Sequence, residues 1–391
     1  MLNIGLLLHF YQPSTQFSET LRKITLRSYE PLLTLFEEFP EAKFTVNLTG
    51  SLLDLWEQSG RGDIINRWRA ILNQGNIEVV GTAKYHPLLF KLPSGEVERQ
   101  ILLQEAVLKR LLNLSKPLGF FPPEMGYSRV TAEVISKLGY RWVLLDRSAR
   151  LGTDFPSTPE VSRETNSIYN LPIKVVFRDP NLSYKIAFAE VRSLKNFKKV
   201  IDPLTDQNGH IVLAMDAETF GWHRRTQMNL LRSFLKADKK RASSFKLLNI
   251  SRIVEDSSLG AELEPLDSTW GFFRETAAGV RVFPRWDNPE NPVHNLQWRL
   301  LKLAIEASSL EPEGSTARSF LDQGEQSDQF WWASADPCWL PPMVKAGTDL
   351  LEKSILSSSR ASLEQKKEAT RLALEIIDVG QEKFGKKSKR C

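Results

Sequence analysis

Along the first two-thirds of the chain, short apolar runs alternate with longer stretches whose apolar positions recur at three- and four-residue spacing, the pattern of repeated β-α units around a parallel sheet. It predicts strands over residues 3–9, 43–47, 77–81, 118–121, 141–145 and 211–216, with helices over 19–38, 51–73, 94–114 and 128–138 between them. The run Ile211-Val212-Leu213-Ala214-Met215 has no polar member, as a strand buried on both faces demands. Ser94 and Ser128 each stand where a helix would start. From 150 to 203 the pattern loosens around Pro156, Pro159, Pro172 and Pro180, which predicts an insertion over the active face and not a barrel unit. After about residue 287, amphipathic helices over 295–309, 341–358 and 362–384 follow with no strand between them, and 310–329 reads as a flexible loop. The expected fold class is α/β: a parallel β/α barrel over 1–286 carrying the catalytic site, then a helical domain over 287–391.

A chain of 391 residues is long enough for a catalytic domain with a deep pocket and a smaller appended domain. Hydrophobic residues at 41% and charged residues at 25% are those of an ordinary globular protein. The net charge of +5 is spread along the chain and is dense only at Lys383, Lys386, Lys387, Lys389 and Arg390, a short solvated end, so no nucleic-acid partner is expected. The two cysteines, Cys338 and Cys391, are too few for a disulfide framework; no structural bridge is expected, and a reducing compartment fits. The apolar opening lacks a basic leader and reads as a first strand, and no apolar run reaches the roughly 20 residues of a membrane span. A soluble, cytoplasmic protein is the expectation.

Four polar-aromatic clusters end or follow the predicted strands, at the end of a parallel barrel where active sites assemble. They are His9-Phe10-Tyr11-Gln12-Pro13, Thr82-Ala83-Lys84-Tyr85-His86-Pro87, Phe121-Pro122-Pro123-Glu124-Met125-Gly126-Tyr127 and Met215-Asp216-Ala217-Glu218-Thr219-Phe220-Gly221-Trp222-His223. This is the inventory that sugar chemistry needs. Cleaving a glycosidic bond with retention takes two carboxyl groups about 5–5.5 Å apart, one attacking the anomeric carbon and one shuttling a proton. Glu124 and Asp216 are the best pair, each at or just past an apolar strand. Burial is expected to raise the pKa of the acid, and a neighbouring cation to keep the nucleophile ionised. Tyr11, Tyr85, Phe220, Trp222 and Trp270 would stack on pyranose faces while His9, Gln12 and His86 bond hydroxyls, with Glu218 and His223 beside them.

Taken in order, these stretches resemble family 57 of the glycoside hydrolases. The resemblance rests on His9-x-x-Gln12-Pro13, Tyr85-His86-Pro87, Pro123-Glu124-x-Gly126-Tyr127 and Asp216-x-Glu218-x-Phe220-Gly221, and Trp270 with residues 286–297 looks like a fifth conserved region. Tyr11 stands where the family usually has a second histidine. The resemblance covers most of the chain and implies a seven-fold β/α barrel, a (β/α)7 fold, with a helical C-terminal region. It also implies metal-independent retaining action on an oligo- or polysaccharide, an α-glucan, through a covalent glycosyl-enzyme intermediate. Glu124 matches the nucleophile position and Asp216 the acid/base position, while His9 and Glu218 match substrate-binding or supporting positions. No cofactor is implied. The acceptor, water or a sugar hydroxyl, stays open.

Two other readings compete. His9, His86, Asp216 and His223 could ligate a divalent metal, as in a polysaccharide deacetylase or mannosidase on a related barrel, but the paired ligands at short spacing that such sites use are missing. A non-catalytic glucan-binding relative would have little use for both Glu124 and Asp216.

Overall fold

The computed structural model describes residues 2–151, 158–240, 244–271, 274–276 and 279–390. Strand β1 (Leu2–Phe10) shows how it is built. Ile4, Leu6, Leu8 and Phe10 pack outward into a cluster shared with the surrounding helices, while Leu7 joins an inner cluster with Val80, Trp142, Leu144, Val176, Val212 and Ala214. Side chains alternate faces along a strand, so both faces are buried and the run is nearly all apolar.

The remaining strands of this unit are β2 (Phe44–Leu48), β3 (Ile77–Val80), β4 (Gly119–Phe120), β5 (Trp142–Asp146), β6 (Glu164–Ile168), β7 (Lys174–Arg178), β8 (His210–Asp216), β9 (Phe245–Leu248) and β10 (Ser258–Leu263). Seven of them form a nearly closed parallel barrel in the order β1, β2, β3, β4, β5, β7, β8 and back to β1. One edge of β1 is taken by β8 over residues 3–9; the other is shared by β2 beside residues 7–10 and β9 beside residues 2–5. At Gly119 a Cβ would come within 2.0 Å of the Trp142 ring, so a glycine is what lets β4 lie against β5.

Several expectations need correcting. The stretch 150–203 is not an insertion: it holds β6 and β7, and β7 pairs in parallel with both β5 and β8 as a barrel strand. Pro172 lies before β7 and Pro180 starts the helix after it, so the prolines punctuate a βα unit. Pro156 lies outside the described residues. The helix expected over 51–73 is two, Gly50–Gln58 and Gly62–Leu72, parted at Gly60 with φ +74°. The helical stretch from Ser18 to Glu38 is continuous but carries a π-turn at Thr25–Tyr29. Ser128 does cap the helix Arg129–Lys137, its side chain accepting from Thr131 N.

The described chain divides into two units. The barrel occupies Met1–Gln12, Phe17–Lys84 and Val97–Trp270, and the second unit consists of Pro13–Gln16, Tyr85–Glu96 and Gly271–Cys391. Helices Pro292–Ser308, Pro341–Ser357 and Leu363–Phe384 of that unit follow the sequence pattern closely. The region 310–329 is no loop; it contains the helix Thr316–Gly324, capped by Ser315. Its charges mislead because they are buried: Arg318 is 2% exposed and pairs with Glu96 and Asp322. Cys338 is disulfide-bonded, contrary to expectation. The last helix brings the chain's end back to this loop, with the Phe384 and Trp339 rings 6.1 Å apart; Cys391 lies outside the described residues. Cysteine usage therefore no longer argues for a reducing compartment. Among the described residues no helix is long and apolar enough to cross a membrane.

Candidate active site

Strand periodicity builds the floor of the site. On β1 the inward parity of Leu7 continues to His9; on β8 that of Val212 and Ala214 continues to Asp216; on β7 that of Val176 continues to Arg178. Register aligns these positions, His9 lying opposite Asp216 on one side and Asn47 on the other, and Asp146 opposite Arg178. A ring of polar side chains thus caps the apolar barrel interior at the C-terminal ends of its strands.

Glu124 enters from the turn after β4. It and Met125 adopt left-handed conformations, φ 56° and 49°, each costing a non-glycine residue on the order of 1 kcal/mol. The turn is held by Met125 N donating to Pro122 O (2.8 Å) and Gly126 N to Pro123 O (2.9 Å). Trp270 fixes the carboxylate: its Nε1 donates to Glu124 Oε2 (2.9 Å), its backbone N to Glu124 O (3.1 Å), and the Thr269 hydroxyl to the same carbonyl (2.7 Å).

Aromatic contacts join this turn to β1. The His9 ring lies stacked on Phe121 (5.0 Å) and Tyr11 (5.8 Å) and meets the Trp270 edge at 5.6 Å. His9 Nδ1 donates to Asn47 Oδ1 (2.7 Å), and burial lowers its pKa from 6.5 to about 4, so the imidazole is neutral.

Arg178 is the cation of the site and was not singled out from sequence. It is 2% exposed, its Nη1 is 2.6 Å from Asp146 Oδ2, its Nε donates to Ala214 O (2.9 Å), and its guanidinium stands over the rings of Tyr184 (4.6 Å) and Trp270 (5.7 Å). Its field acts on Asp216, whereas the expected cation was to serve the nucleophile. Burial pushes the Asp216 carboxyl above the usual range and Arg178 pulls it back. Asp216 itself keeps surface exposed at the end of β8.

Glu218, two residues on, is 6% exposed. Burial first, and then the charge of Asp216, raise its pKa further than that of Asp216. Gln12 Nε2 donates to Glu218 Oε1 (2.7 Å) and to Tyr29 Oη (3.0 Å), and Tyr29 Oη itself meets Glu218 Oε1. Gln12 is thus engaged by Glu218 and Tyr29 inside the protein, where sequence placed it on sugar hydroxyls. Gly221, at φ +114°, lets this segment lie against the π-turn that carries Tyr29, since a Cβ there would be 2.0 Å from Arg27 O.

Trp222 is half-buried beneath the Arg27 guanidinium (5.6 Å), and His223 is exposed, its N–H donating to Glu218 O (2.8 Å). His86 belongs to the second unit, where its Nδ1 meets Ser327 Oγ at 3.0 Å. A partly open pocket lined by Arg147, Glu160, Asp179 and His210 reaches Arg178 but neither Glu124 nor Asp216. Among the described residues no group of three or more His, Cys, Asp or Glu is disposed to hold a metal ion. The signals that could have found Arg178 and Tyr29 are tertiary: a charged residue closing an apolar run, and a tyrosine on a helix otherwise read as core.

Residues 7–263 match the model of glycosyl hydrolase family 57. The chain is 24% identical over 387 residues to a 4-alpha-glucanotransferase of Thermococcus kodakarensis, covering 88% of this chain and 57% of that one. It is 24% identical over 248 residues to an alpha-amylase of Pyrococcus abyssi, covering 62% of this chain and 37% of the relative. It therefore spans little more than half the length of such relatives, or less. Among solved structures, the 4-alpha-glucanotransferase of Thermococcus litoralis superposes with a TM-score of 0.74 at 18% identity, over 90% of this chain and 59% of the other. A branching enzyme of Thermococcus kodakaraensis superposes with 0.72 at 15% identity, over 96% and 95%. Both likenesses establish the (β/α)7 barrel fold with its helical C-terminal region. With the family model spanning the barrel and all four clusters but the end of the chain left outside it, the chain belongs to glycosyl hydrolase family 57.

Proposed function

We propose that this protein is a retaining enzyme acting on α-glucans by double displacement. The observation that carries the reading is the gathering of the two carboxyls at one end of the barrel: Glu124 is bonded by Trp270, Trp270 lies against Arg178 and His9, and Asp216 is opposite His9 in the strand register and in the field of Arg178. In the first step the Glu124 carboxylate attacks the anomeric carbon, the bond to the leaving oxygen breaks, and Asp216 gives that oxygen its proton. In the second, Asp216 takes a proton from the acceptor hydroxyl, whose oxygen displaces Glu124 from the sugar.

Each supporting group has a physical task. Trp270 aims the nucleophile by a charge-assisted hydrogen bond. Neutral His9, its ring held by Asn47 through Nδ1–H, is placed at the strand end beside Asp216 as a polar group for the substrate. Tyr11, half-buried beside His9, presents a face for a pyranose ring. The names of the relatives, alpha-amylase and 4-alpha-glucanotransferase, support an α-glucan as the substrate. Water as acceptor gives hydrolysis and a sugar hydroxyl gives transfer.

The test is chromatography of products from maltooligosaccharides, amylose and a panel of α- and β-linked aryl glycosides, with wild type and Glu124→Gln. Shortened, lengthened or branched α-glucans that vanish with the variant support both the class and the nucleophile, and their pattern separates hydrolysis from transfer. Wild type that alters none of these substrates overturns the reading.

A further inference from the structure

The edge of β8 that faces β7 can be followed bond by bond. In a parallel pair, every second residue of a strand turns both its N–H and its C=O toward the same neighbour. On this edge the residues concerned are His210, Val212 and Ala214, with Asp216 next. His210 N donates to Ser162 O (2.7 Å) and Ser162 N to His210 O (2.9 Å). Val212 is met by the end of β7, where Asp179 N donates to Val212 O (2.7 Å). Arg178 opposite Val212 is the last pair of this ladder, and β8 runs on past it to Asp216.

The ladder stops because β7 stops. Pro180 follows Asp179 and starts the helix Pro180–Ala187, which the Asp179 side chain caps by accepting from Leu182 N (2.8 Å). Had β7 continued in the same register, Asp179 O would have accepted from Ala214 N. The helix takes that carbonyl for Ser183 N (3.3 Å) and returns a side chain in its place: Ser183 Oγ accepts from Ala214 N (3.3 Å). The other half of the same residue is met by Arg178, whose Nε donates to Ala214 O (2.9 Å). Ser183 and Ala214 are both fully buried, and a buried backbone N–H is seldom left unpaired.

We propose that the Ser183 hydroxyl, together with the Arg178 guanidinium, stands in for a strand neighbour at Ala214 and thereby fixes the end of β8 that presents Asp216. Ser183 is a positioning residue: it reaches the chemistry only through the backbone of β8. The opposite edge of β8 is held by β1, whose pairing runs as far as His9 opposite Asp216. The last residues of the strand are therefore gripped from both sides, and loss of the serine hydroxyl loosens one. Proton transfer depends on that grip, because a general acid must sit within hydrogen-bond reach of the oxygen it serves. A misplacement of about 1 Å costs on the order of 100-fold in rate. Arg178 acts on Asp216 through its charge as well, whereas Ser183 carries none, so the serine isolates position from electrostatics.

The inference rests on Asp216 being the acid/base group, and the experiment separates the two. The kcat/KM of the intact chain is measured on two substrates, with thermal unfolding alongside to show that each variant is folded at the assay temperature. One is a maltooligosaccharide, whose leaving oxygen must receive a proton as its bond to the anomeric carbon breaks. The other is α-maltotriosyl fluoride, whose fluoride departs without one. Asp216→Asn is expected to lose activity on the first and keep most of it on the second. Ser183→Ala is expected to follow the same pattern in weaker form, falling about 10- to 100-fold on the maltooligosaccharide and no more than about threefold on the fluoride. A Ser183→Ala protein that falls alike on both substrates, or on neither, overturns the proposal while Asp216→Asn still discriminates. If Asp216→Asn itself falls alike on both, the acid/base assignment fails, and the role of Ser183 with it.

Discussion

Replacing Arg178 by methionine separates what this cation does for stability from what it does for Asp216. The guanidinium bonds the Ala214 carbonyl, and Asp216 lies two residues further along the same strand. Two strand residues span about 7 Å, and at that separation two unit charges in a medium of effective dielectric about 20 interact by about 2 kcal/mol, or roughly 1.5 pKa units. Arg178 lowers the pKa of Asp216, so its loss raises it. A general acid works while protonated, and kcat/KM falls as pH rises through its pKa; the alkaline limb is therefore expected to move upward by about 1 to 2 pH units. Methionine also strands the buried Asp146 carboxylate, which loses its partner at 2.6 Å, a change that costs about 3–5 kcal/mol. Pairing it with Asp146→Asn removes the stranded charge, so the double variant is expected to regain much of the stability, with a smaller displacement of the limb because the anion is lost along with the cation. The assay is kcat/KM on a maltooligosaccharide against pH, with thermal unfolding alongside. An alkaline limb that stays in place or moves down in Arg178→Met refutes the electrostatic role of Arg178.

Two further outcomes are expected. Trp270→Phe removes the donor to Glu124 Oε2 while keeping most of the ring, and a hydrogen bond to a charged group contributes about 1.5–3 kcal/mol, so kcat is expected to fall roughly 10- to 100-fold with a smaller change in KM, read by steady-state kinetics. His9, His210 and His294 are buried and each lowered from 6.5 to about 4, so the unfolded chain takes up their protons first as pH falls. Stability is present above 6.5 and lost between 6.5 and 4, by up to about 3 kcal/mol for each; denaturant midpoints are expected to fall through that window, and less steeply in His294→Gln.

How much of this was legible in the sequence follows from burial. β1 and β8 stand out because both faces are covered, and the motifs at their ends, His9 and Asp216, sit where a parallel barrel puts chemistry. β7 escaped because its apolar core is only Val175-Val176-Phe177, flanked by Lys174 and Arg178; a charged residue reads as solvent-facing, and only the fold shows Arg178 paired in the interior. The same reasoning hid the helix Thr316–Gly324, whose Arg318 and Asp322 look like loop polarity until Glu96 is seen beside them. Gln12 and Glu218 were visible as chemistry, but not that Tyr29, far off in sequence, turns them toward one another. Pairing across 189 residues leaves no local trace.

The central claim, that Glu124 forms the covalent bond to sugar, is tested most directly by trapping it. The protein is incubated with 5-fluoro-α-glucosyl fluoride, whose intermediate breaks down slowly, then digested and its peptides weighed by mass spectrometry. The expected result is one glycosyl unit on the peptide containing Glu124, absent from Glu124→Gln. A glycosyl unit on another carboxylate, or active enzyme that consumes the reagent while every peptide keeps its original mass, contradicts it.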